Sequence, residues 1–238
     1  MYRTIVNNIP KPVKRLLTPI YDIGLRLRYR NLSHDKVLEY WRNPYDGMNN
    51  PDVYAVEGWD RSEYLATTLE KYIYGMVKPT TSVLEIGCNV GRNLECIRQH
   101  GFGHIGGVEI NETAIIALKK HFPELAKDMT VYNDAVENVI KDISTDSYDV
   151  VFGMGSWEHI HKESEWVFIE IARVAKTMIV TMEDEHSIHR RIFPRNYKRV
   201  FEPIGNWIQV EEFSCKNLSN MGSEGTNYVG RVFKRREL

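Results

Sequence analysis

The stretch Ser82–Asn93, SVLEIGCNVGRN, constrains this chain more than any other. Val83-Leu84-Glu85-Ile86 is mostly apolar and runs into Gly87-Cys88-Asn89-Val90-Gly91, then into an amphipathic segment with Leu94 and Ile97. A short apolar run ended by glycine reads as a buried strand, and the pattern after it as the start of a helix. The glycine turn between them lets backbone N–H groups approach a ligand, because glycine has no Cβ and tolerates positive φ.

The alternation continues along the chain. Asp60 followed by Glu63 has the form of a capping box. Leu65, Leu69, Tyr72, Ile73 and Met76 then recur at helical spacing until Pro79. Val83–Ile86 is strand one. His104–Ile110 is strand two, followed by a helix from Asn111 with Ala114, Ile115, Leu118 and Phe122 on one face. Met129–Asn133 is strand three, with a short helix over Ala135–Ile140. Tyr148–Met154 is strand four, and its helix presents Val167, Ile171 and Val174, with Phe168, Ala172 and Ala175 alongside. Thr177–Met182 is strand five, and a charged, mixed stretch, Glu183–Gly205, follows it. Two late strands, near Trp207–Phe213 and Asn227–Lys234, have no helix between them. This pattern predicts an α/β fold with seven strands: a mostly parallel sheet covered by helices on both faces, with an antiparallel pair at one edge.

Composition narrows the setting. The net charge of −1 exerts no overall pull towards nucleic acid, but residues 1–30 carry seven Lys/Arg and one Asp, which leaves the remainder acidic. That segment mixes its charges with Ile9, Val13, Leu16, Leu17, Ile20, Ile23, Leu25 and Leu27, interrupted by Pro10, Pro12 and Pro19. It reads either as basic amphipathic pieces lying on an anionic membrane or as an apolar face packed on the domain with solvated charges. The three cysteines, Cys88, Cys96 and Cys215, are odd in number and form no C-x-x-C pair, as expected in a reducing compartment. With no signal-peptide pattern and no membrane-length apolar run, the expected location is the cytoplasm, membrane-peripheral if residues 1–30 bind lipid. Tyr40, Trp41, Tyr45, Tyr54 and Trp59, broken by turn residues, form a segment that folds over a pocket as a lid or makes a satellite apolar cluster. The expected division is a basic extension and aromatic lid over 1–59 and the main domain over 60–238.

In open α/β sheets a ligand sits beyond the carboxyl ends of the strands, near the reversal of strand order. The polar residues there are the Gly87–Gly91 turn after strand one, Glu109 at the end of strand two, Asn133-Asp134-Ala135 after strand three and Gly153-Met154-Gly155 after strand four. Asn89 stands where a dinucleotide fingerprint wants glycine, and Arg92-Asn93 does not supply the Lys-Ser/Thr of a P-loop. The set resembles the class I S-adenosylmethionine-dependent methyltransferases, whose first motif is an acidic residue, x, Gly, three residues, Gly: here Glu85, Gly87 and Gly91. The resemblance covers roughly Asp60 to Lys234 and implies a Rossmann-like fold with S-adenosylmethionine as cofactor. By it, Gly87, Cys88 and Gly91 line the methionine and ribose portion, Glu109 holds the ribose, Asp134 and Ala135 the adenine, and Gly153 the methionine amino end; Glu85, Asn89, Asn93 and Ile110 belong to the same cofactor site.

For the acceptor, Ser156-Trp157-Glu158-His159-Ile160-His161 borders the expected methyl end, and His159 is the candidate base that would favour O-methylation. The other reading of His159 is a structural Glu-His pair common in that family. His159, His161, His186 and His189 show no recognisable metal spacing, so no metal is expected. Phe193–Glu202 resembles the segment that in this family often contributes to the acceptor pocket, and its basic residues could meet an anionic acceptor. No N/D-P-P-Y/F motif follows strand four and no RNA-binding module is visible, which points to a small-molecule or glycan acceptor and no nucleic acid. The alternatives are a membrane-peripheral enzyme with a lipid-linked acceptor, and a non-catalytic cofactor-binding protein of the same fold.

Overall fold

The structure is a computed structural model, and it describes residues 33–44, 50–56, 59–72, 80–187, 189–215 and 228–236. The expectations for residues 1–30, Tyr45, Ile73, Met76 and Pro79 lie outside this set. No described helix is long and apolar enough to cross a membrane.

Seven strands form one sheet: β1 Val83–Ile86, β2 Ile105–Val108, β3 Thr130–Tyr132, β4 Tyr148–Met154, β5 Ala175–Asp184, β6 Trp207–Ser214 and β7 Tyr228–Arg235. Their spatial order is β3-β2-β1-β4-β5-β7-β6. β3, β2, β1, β4 and β5 run parallel. β7 is antiparallel to both β5 and β6, so the last strand in sequence sits inside the edge pair. This is the mostly parallel α/β sheet with an antiparallel edge that the alternation predicts. Order reverses between β1 and β4, which places the ligand crevice above the end of β1.

The helices are α1 His34–Arg42, α2 Pro51–Val56, α3 Trp59–Tyr72, α4 Arg92–Gln99, α5 Glu112–His121, α6 Pro123–Asp128, α7 Val136–Val139, α8 Val167–Val174 and α9 Tyr197–Phe201. Strand side chains alternate between faces. Val83 packs with Leu65, Leu69, Leu94, Ile97 and Phe152 on one side. Leu84 and Ile86 pack with Val151, Phe168, Ile171 and Phe233 on the other.

Several boundaries differ from expectation. Asp60 and Glu63 form no capping box, because α3 begins at Trp59 and Glu63 turns to His100 and Cys96 on the neighbouring helix. β2 and β3 are shorter than their apolar runs. Ala175 opens β5 rather than closing α8, and β5 extends to Asp184 because β7 pairs along it as far as Tyr228. Asn111 caps α5 by accepting from the Thr113 N–H.

One buried ion pair ties the edge strands to the loop after β5. The Arg231 guanidinium donates to both Glu185 carboxylate oxygens at 2.7 Å and also reaches Gln209 and Glu212. Arg231 and Glu185 are both buried. Removing one partner strands a charge in the interior, which typically costs about 3–5 kcal/mol. Arg231→Ala should therefore lower stability by about that amount in a denaturant titration.

Candidate active site

A cavity of about 280 Å³ opens at the carboxyl end of β1, where the strand order reverses. Its floor begins at the turn after β1. Gly87 has φ +83°, and a Cβ there would stand 2.4 Å from the Ser156 Cβ, so only glycine fits this approach. The Ile86 carbonyl just before it accepts from Ser156 Oγ at 2.7 Å and from Trp157 Nε1 at 3.2 Å, which locks the loop after β4 against the turn.

Glu109 spans the next gap. Its two carboxylate oxygens accept from the Asn89 and Asn111 backbone N–H groups, each at 2.8 Å. Burial raises its pKa, and these backbone donors oppose the rise. A carboxylate offers about four acceptor sites, so these donors do not exhaust it and a ribose hydroxyl can still be accepted.

Behind the turn runs a buried polar chain. Arg92 Nε donates to Ser62 Oγ, Ser62 Oγ to Asn93 Oδ1, and Asn93 Nδ2 to Glu85 Oε1 at 2.7 Å. The other Glu85 oxygen is buried with no hydrogen-bond partner among the described residues. Burial pushes the Glu85 carboxyl up to about 8. An unsatisfied buried acceptor on a cavity wall fits a ligand that brings a cation, such as the amino end of a methionine. With the remaining acceptor sites of Glu109, it makes this pocket chemically suited to S-adenosylmethionine.

Asp134 and Ala135 line the cavity from the far side, but Asp134 is well supplied already. It accepts from the Ala135 N–H, from Asn138 Nδ2 and from Arg42 on α1. The Ala135 N–H is thus bonded to its neighbour's side chain. α1 lies across this rim. Trp41 packs on the His159 ring with centroids 4.2 Å apart, and the Arg191 guanidinium sits 3.6 Å from the Tyr40 ring centroid. The Trp41 indole N–H is buried and unpartnered among the described residues. Leu38, Trp41, Pro44 and Tyr54 line one side of the cavity, while Trp59 packs on the core.

At the opposite end, acidic groups accumulate with few cations. Glu158 accepts from the Asp184 N–H and from Tyr228 Oη at 3.1 Å. Glu183 accepts from the Ser156 and Glu158 N–H groups, and its second oxygen is buried without a partner among the described residues. Burial raises Glu158 to about 7 and Glu183 well above the carboxylate range, each pushed further by a neighbouring carboxyl. Burial lowers the His159 pKa to about 4, so the ring is neutral near pH 7. His159 Nδ1 lies 2.6 Å from the Arg191 carbonyl, which only accepts, so Nδ1 carries the hydrogen and Nε2 keeps its lone pair. Nε2 stands 3.7 Å from Glu158 Oε1.

The cavity wall brings together Glu85, Gly87, Cys88, Asn89, Asn93, Glu109, Ile110, Asp134, Ala135 and His159. Gly91 and Gly153 are not on it. Gly91 is the N-cap of α4, and Gly153 is bare because a Cβ there would meet the Trp157 ring at 2.2 Å. The Phe193–Glu202 segment also stays off the wall. Arg195 spends its guanidinium on the Phe193 and Ile160 carbonyls and on Glu165, while Tyr197 and Phe201 pack around Trp157. His161 packs on Phe193, and His186 and His189 are exposed beyond β5, so the four histidines face different neighbours. Sequence reasoning missed Ser156, Arg92 and Tyr228. Ser156 and Arg92 stand beside recognised motifs, whereas Tyr228 reaches the site only through β7 pairing and leaves no local signal.

The raised carboxyls have a consequence for pH. Unfolded, they ionise near pH 4.5, whereas folded Glu85, Glu158 and Glu183 keep protons to higher pH. The folded state then binds more protons, so stability falls as pH rises, by about 1.4 kcal/mol per pH unit for each proton held. The ligand-free protein should melt at a lower temperature at pH 8 than at pH 6.5, with a shallower fall in Glu85→Gln. A melting temperature that rises over this range would contradict the burial argument.

Comparison with known proteins places the fold. Residues 83–178 match a family model described as a methyltransferase domain. No curated protein sequence matches. Among solved structures, phosphoethanolamine N-methyltransferase 2 of Haemonchus contortus with S-adenosyl-L-methionine is 13% identical, with a TM-score of 0.64, covering 85% of this chain and 60% of that one. A geranyl diphosphate methyltransferase with sinefungin is 11% identical, with a TM-score of 0.63 and coverages of 85% and 98%. Magnesium protoporphyrin IX methyltransferase of Synechocystis PCC 6803 with bound S-adenosylmethionine is 13% identical, with a TM-score of 0.58 and coverages of 90% and 97%. Residues 83–178 thus carry the likeness to a methyltransferase domain, and the sheet around them has the fold of these solved methyltransferases.

Proposed function

We propose that this chain is a class I S-adenosylmethionine-dependent methyltransferase that acts on a hydroxyl of a small-molecule or glycan acceptor, with His159 as the base. The carrying observation is the state of that ring: neutral near pH 7, with Nδ1 bonded to a carbonyl and Nε2 bearing the lone pair, on the cavity wall. The cofactor supplies a methyl group already activated on a cationic sulfur. The chain's work is then to position the acceptor, exclude water and remove one proton. In this reading, Nε2 takes the hydroxyl proton as the oxygen bonds to the methyl carbon. The resulting imidazolium is met by Glu158 Oε1 at 3.7 Å. The unpartnered Trp41 N–H is available to an acceptor oxygen, and Trp41, Tyr54 and Tyr228 bound a cavity of small-molecule size. The names of the solved neighbours, which cite geranyl diphosphate, magnesium protoporphyrin IX and phosphoethanolamine, favour a small acceptor.

For the cofactor, we assign the ribose to Glu109, the methionine end to the turn at Gly87 and to Glu85, and the adenine to the Ile110, Asp134 and Ala135 rim. The segment carrying Trp41 and Tyr54 serves as the lid of the main domain.

Two measurements test this reading. In calorimetric titration, Glu109→Ala should weaken S-adenosylhomocysteine by at least about tenfold, since each hydrogen bond to a charged group is worth about 1.5–3 kcal/mol. NAD serves as the control ligand, and unchanged affinity would refute the ribose assignment. Once an acceptor is found with labelled cofactor, His159→Gln should lower kcat by about 10²- to 10⁴-fold with little change in S-adenosylhomocysteine affinity. Full turnover in that variant would remove His159 as the base and favour an amine acceptor that arrives neutral.

A further inference from the structure

Outside the cofactor pocket, α3 and α4 bring three different metal-ligating side chains to one point. Cys96 Sγ lies 3.3 Å from Glu63 Oε2, and His100 Nε2 lies 3.0 Å from the same oxygen. The ligand atoms of Glu63, Cys96 and His100 all lie within 4.8 Å of one another. Cys96 and His100 are four apart at the end of α4, the spacing that puts two side chains on one helix face. Glu63 reaches them from α3, 33 residues earlier.

We propose that Glu63, Cys96 and His100 form a zinc site that fastens α3 to α4. Zinc bonds of about 2.0–2.3 Å in tetrahedral geometry set ligand atoms about 3.3–3.6 Å apart. The two separations from Glu63 Oε2 need to open by only a few tenths of an ångström, and Cys96 Sγ and His100 Nε2 lie within 4.8 Å of one another. A thiolate, an imidazole and a carboxylate are the donor set zinc takes, with water in the fourth position. His100 is oriented for this role, because its other ring nitrogen, Nδ1, lies 2.6 Å from Glu70 Oε1. Such a carboxylate fixes the tautomer and ring plane of a metal-binding histidine. Cys96 is buried and its thiol proton leaves when the metal binds. The same two helices carry Ser62 and Asn93, whose hydrogen bond leads to Glu85, so the metal would hold the wall of the cofactor pocket in register.

The test needs no methyl transfer. The full-length chain, stripped with chelator, is titrated with Co²⁺, a spectroscopic substitute for Zn²⁺. The expected result is one equivalent bound with a thiolate-to-cobalt charge-transfer band. That band disappears in Cys96→Ser, and affinity falls about 10- to 100-fold in Glu70→Gln. Zn²⁺ should raise the melting temperature of the wild type and not that of Cys96→Ser, with circular dichroism confirming that each variant is folded. Absence of the band, or its survival in Cys96→Ser, would overturn the site; survival would place the metal at Cys88 or Cys215.

Discussion

The Ile86 carbonyl is the contact on which the active end depends. It accepts from both the Ser156 hydroxyl and the Trp157 indole, and so joins the turn after β1 to the loop after β4 across the reversal in strand order. Two glycines make this approach possible: a side chain at Gly87 would strike Ser156, and one at Gly153 would strike Trp157. Trp157 in turn seats Phe168, Tyr197 and Phe201, so the core beneath the sheet and the floor of the pocket share one anchor.

On this frame the site is built from unbalanced carboxyls. Glu85 and Glu109 are buried in the cavity wall, Glu158 and Glu183 are buried under the loop after β4, and Glu85 and Glu183 each keep an oxygen with no partner among the described residues. Burial holds their protons, which costs stability in the ligand-free chain as pH rises. A positively charged ligand relieves that cost by interacting with the charged forms. The acidity thus suits a cationic cofactor, and burial likewise holds the His159 ring neutral at physiological pH.

Helix α1 spans the two ends of the pocket. α1 places Trp41 on His159 at one end and Arg42 on Asp134 at the other. A ligand that engaged Asp134 would compete with Arg42 for one carboxylate.

The sequence alone determined the strand–helix alternation, the glycine turn and the carboxylates at the strand ends, because each is written in local spacing: period two, period 3.6 and glycine where a turn must form. From those, Glu85, Glu109 and Asp134 were legible as wall residues. Tertiary structure decided what spacing cannot encode. It set β7 between β5 and β6, brought Tyr228 to Glu158 and carried Glu63 to Cys96 and His100. It also showed that Gly153 serves Trp157 rather than the cavity and that Arg195 is consumed by carbonyls. These outcomes depend on which surfaces meet across the sheet, and residues tens of positions apart leave no local pattern before the chain packs.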